Sequence, residues 1–202
     1  MHIAIAGNIG VGKTTLAEKL AQHFGWDVFY EAVEGNPYLA PFYEDMTKWS
    51  FHLQVYFLNS RFEQVLRIKE DAFQPIIQDR SIYEDAYIFA LNLHESGIMN
   101  ETDYATYLGL FKTIMKAVSP PHLMIYLKAD TEKLVRQIQL RNRTFEQNID
   151  INYLESLNRL YDAFSSRYAH GPLLEIDVNE MDFVKSAEDF RSIAKQVERM
   201  LY

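Results

Sequence analysis

The chain contains no cysteine. Disulfide frameworks, thiolate metal sites and a cysteine nucleophile are therefore excluded, and the absence fits a reducing cytosol. Proline and glycine are scarce, six and eight in 202 residues, too few for a collagen-like or linker-rich chain. No internal repeat and no Gly/Ser linker interrupts it. No run approaches the ~18 uninterrupted apolar residues of a membrane-spanning helix. No basic segment precedes an apolar one at the start, where "HIAIA" (2–6) reads as a core strand. Positive charge is the minority sign: Lys and Arg number 20 against 28 Asp and Glu, a formal charge of −8. That balance disfavours DNA and RNA polymers as partners but leaves room for small anions held by a local Arg/Lys cluster. The expectation is a cytoplasmic protein, one domain over 1–202, with no membrane and no nucleic-acid polymer as partner.

What is present is an ordinary globular composition, 48% apolar and 24% charged. Short apolar runs bounded by turn residues fall at 2–6, 27–30, 75–79, 122–127 and 173–178. Near-continuous runs of this length suit strands of a parallel sheet buried on both faces. Helical patterns lie between them, at about 13–24, 49–72, 82–95, 101–117, 131–141, 150–168 and 183–201. Such alternation predicts an α/β, doubly wound, five-stranded parallel sheet flanked by helices.

"GNIGVGKTT" (7–15) follows the first strand and opens the first helix. Gly7, Gly12, Lys13 and Thr14 fit GxxxxGK[ST], the phosphate loop of P-loop proteins, in the context that pattern requires. The expected phosphate ligands are Gly7, Asn8, Ile9, Gly10, Val11, Gly12, Lys13, Thr14 and Thr15. Their backbone N–H groups gather at the positive end of a helix, Lys13 reaches the β- and γ-oxygens, and Thr14 ligates Mg²⁺ accompanying ATP. A P-loop protein needs a second acid for the metal. Asp79 ends the strand 75–79, with Arg80 beside it at the sheet edge where open α/β folds bind ligands. Glu31 stands at the comparable place after the second strand. Two carboxylates and an arginine converging on a phosphate loop suit an acceptor hydroxyl, with Glu31 taking its proton and Arg80 neutralising charge. Gln54 and Arg61 lie seven apart on one face of a long helix, and Asp85 lies one turn beyond residues 79–81. Together they offer donors and acceptors to a nucleobase edge.

These residues resemble the deoxynucleoside kinases. "GNIGVGKTT", Glu31, "DRS" (79–81), "RNRTFEQ" (141–147) and "DVNEMDF" (177–183) occur in that family's order and spacing. The resemblance implies a P-loop kinase using ATP and Mg²⁺, with Asp79 at the metal and Glu31 as catalytic base. Arg80 would sit on the acceptor 5′-hydroxyl, Tyr43 and Glu146 on the sugar 3′-hydroxyl, and Gln54, Arg61 and Asp85 at the base. It also implies an arginine-rich lid over about 137–149 carrying Arg141 and Arg143, with Gln137 where some members have arginine and Arg136 displaced by one. A homodimer built on long helices, such as 101–117, and a preference for deoxyadenosine ahead of deoxyguanosine and deoxycytidine are implied as well. Two other readings share the loop: a thymidylate-type nucleoside monophosphate kinase, with Arg61 on the acceptor phosphate, and a non-catalytic nucleotide sensor.

Overall fold

The computed structural model describes residues 1–70, 74–143 and 149–202. Five parallel strands form one sheet in the order β2-β3-β1-β4-β5, where β1 is His2–Gly7, β2 Asp27–Phe29, β3 Ile76–Asp79, β4 Leu123–Lys128 and β5 Leu173–Asp177. All five expected strands form, within a residue of their expected ends. β1 is buried throughout and reads on both faces. Ile3 and Ile5 pack into the layer with α1 (Lys13–Phe24), while Ala4 and Ala6 face Leu58, Tyr83 and Tyr107 on the other side. The alternation follows from the two-residue period of a strand.

The helices after α1 are α2 (Leu39–Glu44), α3 (Met46–Glu70), α4 (Ile82–Glu84), α5 (Leu91–Glu95), α6 (Glu101–Ile114), α7 (Thr131–Arg141), α8 (Ile151–Arg167) and α9 (Ala187–Leu201). α3 starts at 46 rather than 49, α6 stops at 114 rather than 117, and three segments differ further. α2 went unforeseen because six residues are too short to show a helical period, and Pro41 falls within its first turn, where proline is tolerated. α9 begins at 187 rather than 183, because the Ser186 side chain accepts from the Asp189 N–H and caps the helix there. The segment expected as one helix over 82–95 is broken by a π-helical turn, Asp85–Ala90, between α4 and α5.

β1 and β3 are adjacent, with Ile5 opposite Asp79. The loop after β1 and the residues after β3 therefore emerge side by side at one edge of the sheet, next to where the strand order reverses. Among the described residues no helix is long and apolar enough to cross a membrane.

Candidate active site

The loop leaves β1 with glycines where side chains would not fit. Gly12 has φ 101°, and a Cβ there would stand 2.9 Å from Phe183 Cζ; Gly10 has φ 85° and would meet Ile138 at 2.8 Å. Lys13 lies across the loop, its Nζ donating to the carbonyls of Gly7 (2.9 Å) and Asn8 (3.1 Å). Burial, reinforced by Arg80, lowers its pKa to about 8, against the pull of Asp79, Glu31 and Glu84. Ile9, Gly10, Gly12, Lys13, Thr14 and Thr15 line a cavity of about 860 Å³. Gly7, Asn8 and Val11 instead hold the loop from behind. The Gly7 N–H donates to Glu84, the Asn8 amide donates to Leu154 O and Asn158 Oδ1 on α8, and Val11 joins the core.

Asp79 and Arg80 meet the loop from β3. The Thr14 hydroxyl donates to Asp79 Oδ2 at 2.5 Å, while Asp79 Oδ1 is buried without a hydrogen-bond partner. Burial raises the Asp79 carboxyl despite Lys13. Arg80 has left-handed backbone (φ 75°), held by its N–H on Ile5 O (2.9 Å); strain of this kind costs roughly 1–2 kcal/mol in a non-glycine residue. It turns the guanidinium back into the cavity. Arg80 Nε lies 2.6 Å from Glu31 Oε1, Nη1 donates to the Tyr161 hydroxyl (2.9 Å), and the planar group rests 4.4 Å over the Phe89 ring. Burial would raise the Glu31 carboxyl, but Arg80, Arg61 and Lys13 outweigh it and hold it below its usual value.

Farther along the cavity α3 presents Gln54, whereas Arg61, expected beside it at the base, is buried behind the wall and does not line the cavity. Arg61 joins the two halves of the site. Nη1 donates to the Asp79 carbonyl (2.9 Å), Nε donates to Asp85 Oδ2 (3.3 Å), and Nη2 stands 3.6 Å from Glu31. A buried guanidinium would be costly without such partners. Burial pushes the Asp85 carboxyl up to about 6 even with Arg61 beside it. Gln54 Oε1 and Arg61 Nη2 are buried and make no hydrogen bond. Tyr43, Leu53, Phe57, Phe89 and Tyr153 complete the walls. Phe51, Phe111 and Trp26 pack into the core.

Gln137, Arg141 and Arg143 line the same cavity, whereas Arg136 is exposed and pairs with Glu132 at 3.3 Å. Glu146 lies outside the described residues, as does the middle of the expected lid, 144–148. The "DVNEMDF" loop is pinned by Lys133, whose Nζ donates to the carbonyls of Val178, Asn179 and Met181. Sequence reasoning missed Lys133, Glu84 and Tyr161. Only Glu84 had a readable signal, the S-x-x-E capping box of "SIYE".

A phosphate loop, an acid–arginine pair and a half-apolar pocket sharing one crevice belong to P-loop kinases acting on small molecules. Which of them follows from similarity. The deoxynucleoside kinase family model matches residues 3–202, and the chain belongs to that family. It is 40% identical to deoxyadenosine kinase from Dictyostelium discoideum, covering 100% of this chain and 81% of that protein. It is 37% identical to deoxyadenosine/deoxycytidine kinase from Bacillus subtilis, covering 99% and 93%. The solved structure of deoxyadenosine kinase from M. mycoides with bound dATP superposes with TM-score 0.87 at 30% identity, over 98% of this chain and 99% of that one. The protein is an ATP-dependent deoxynucleoside kinase.

Proposed function

We propose that this kinase transfers the γ-phosphate of ATP to the 5′-hydroxyl of a purine deoxynucleoside in nucleotide salvage, deoxyadenosine first, with deoxyguanosine and deoxycytidine behind. Glu31 accepts the hydroxyl proton as the new O–P bond forms and ADP leaves. Arg80 sits against both Glu31 and the acceptor oxygen and neutralises charge on the moving phosphoryl group. Lys13 and the loop N–H groups hold the β- and γ-oxygens. The Thr14 hydroxyl and the unpartnered Asp79 Oδ1 are hard oxygen donors that fit Mg²⁺. Mg²⁺ takes one or two protein oxygens of this kind beside water and phosphate ligands. When bound, Mg²⁺ would offset the negative charge of the phosphates. Glu31 is favoured over Asp79 as base because Asp79 already carries the Thr14 hydroxyl and a metal-bound carboxylate is less basic.

Tyr43 and Glu146 take the sugar 3′-hydroxyl, and Arg141 and Arg143 close over the phosphates, excluding water that would compete with the acceptor. α6, which leaves Leu110 exposed, serves a homodimer in the cytoplasm. One observation carries the base preference: Asp85, braced by Arg61, is a buried acceptor lining the same cavity as Gln54. The exocyclic amine of adenine donates to it, whereas thymine offers a carbonyl and a methyl. Arg61 is committed to Asp85 and the Asp79 carbonyl, which argues against its binding an acceptor phosphate.

An ATP-coupled assay with Mg²⁺ against the four deoxynucleosides, thymidylate and a no-acceptor control tests the reading. Fast turnover of deoxyadenosine, lost in Glu31→Ala, is expected. Preferred turnover of thymidine or of the monophosphate would overturn it.

A further inference from the structure

Behind the phosphate loop lies a carboxylate that the transfer itself does not use. Glu84 is fully buried. Its Oε2 accepts from the Ser81 N–H (2.6 Å) and the Ser81 hydroxyl (3.0 Å), and its Oε1 accepts from the Gly7 N–H (3.1 Å) and faces Arg80 Nη1 at 3.4 Å. Tyr161, on α8, closes the arrangement. Its hydroxyl accepts from Arg80 Nη1 at 2.9 Å and lies 2.7 Å from Glu84 Oε1 and 2.8 Å from Gly7 O. The ring is fixed by stacking on Tyr126 of β4, centroids 5.6 Å apart. One hydroxyl has one proton, so Tyr161 donates fully either to Glu84 or to Gly7 O.

We propose that Glu84 and Tyr161 are positioning residues that couple the phosphate loop to Arg80, so that nucleotide on the loop and deoxynucleoside beside Arg80 bind cooperatively. The proposal rests on reading Arg80 as the ligand of the acceptor hydroxyl. Gly7 O also receives Lys13 Nζ, at 2.9 Å. A phosphate oxygen on the loop competes for that ammonium, and the Tyr161 O–H is the neighbouring donor that then serves Gly7 O. Glu84 Oε1 is left with fewer donors and draws Arg80 Nη1 closer, fixing the guanidinium against the acceptor. The hydroxyl proton thus has two arrangements, each favoured by the state of one site, and this is the element through which two ligands sense one another.

The experiment measures deoxyadenosine affinity by calorimetry, with and without Mg²⁺ and a non-hydrolysable ATP analogue, alongside steady-state kinetics. In the wild type the analogue tightens deoxyadenosine binding roughly five- to hundredfold. Tyr161→Phe keeps the ring on Tyr126, abolishes that gain, and lowers kcat about tenfold or more with a smaller change in KM. Glu84→Gln sets an NH₂ donor against a ring of donors and also loses the coupling. Leu157→Val, a packing loss on the same helix, keeps coupling and kcat; equal losses there would mean that Tyr161 is merely structural and would overturn the proposal. Glu31→Ala separates the two failures. Turnover surviving in that variant overturns the reading of the acid–arginine site. Wild-type coupling in Tyr161→Phe beside an inactive Glu31→Ala overturns this proposal alone.

Discussion

The two ends of the cavity are built differently. At the phosphate end most groups have protein partners: Lys13 the loop carbonyls, Glu84 the Ser81 and Gly7 N–H groups, and Arg80 Nη1 the Tyr161 hydroxyl. At the base end the cavity-lining Gln54 Oε1 is buried with no hydrogen bond. An unsatisfied buried polar atom costs about 1–3 kcal/mol, and a ligand recovers that only by supplying the right partner. On the proposed reading the phosphate end is preorganised for any nucleoside, while the base end discriminates. Two atoms at the phosphate end are also buried without a hydrogen bond: Asp79 Oδ1, which on the proposed reading meets Mg²⁺, and Arg80 Nε, which has the Glu31 carboxylate 2.6 Å away as an ion pair.

Breaking the preorganised end is expected to have the largest effect. Glu31→Ala should lower kcat by roughly 10²- to 10⁴-fold for every nucleoside alike, read in the coupled assay; a loss confined to one base would erase the distinction between the ends. Chelation of Mg²⁺ by EDTA should abolish turnover, and Asp79→Asn should raise the Mg²⁺ concentration needed for half-maximal rate. Breaking the discriminating end should shift ratios instead. Asp85→Asn should reduce the deoxyadenosine-to-thymidine ratio of kcat/KM about ten- to hundredfold, the worth of a hydrogen bond to a charged group. Unchanged selectivity would remove Asp85 from base recognition.

A smaller effect follows from the Asp85 carboxyl, which burial pushes up to about 6. Raising the pKa of an acid favours its protonated form, so the acceptor is ionised above that pH and lost as pH falls through it. The same ratio should decline between pH 7.5 and 5.5, and Asp85→Asn should flatten the decline. A stability change, beside weakened nucleotide binding, is expected of Gly12→Ala, whose methyl would press on Phe183 from a left-handed backbone. It should cost about 1–2 kcal/mol of stability, visible as a lower Tm.

What was legible in the sequence follows the same division. The loop could be read because its residues are consecutive, and the position of Asp79 and Arg80 because they end an apolar strand. Gln54 and Arg61 showed through their helical spacing. Tyr161 could not, because its partners are 154 and 77 residues away and no local pattern records such a meeting. Lys133 reads as an exposed helical cation until the loop at 178–181 folds over it. Gly7, Asn8 and Val11 were assigned to the phosphates with the rest of the motif. Which members of a loop face the cavity depends on the residues behind it, here Glu84, Asn158 and the core.

The π-helical turn at Asp85–Ala90 has a further consequence. Such a turn is an α-helix carrying one residue too many. Asp85 and Phe89 both reach the cavity from within it. Deleting a single residue between them would let the segment close as ordinary helix and would swing one side about 100° relative to the other. Either the carboxylate or the ring under Arg80 would then leave the site. Substrate preference in this chain is thus open to change by insertion and deletion as well as by replacement, and a comparison of chain lengths across these six positions would trace where lineages have changed it.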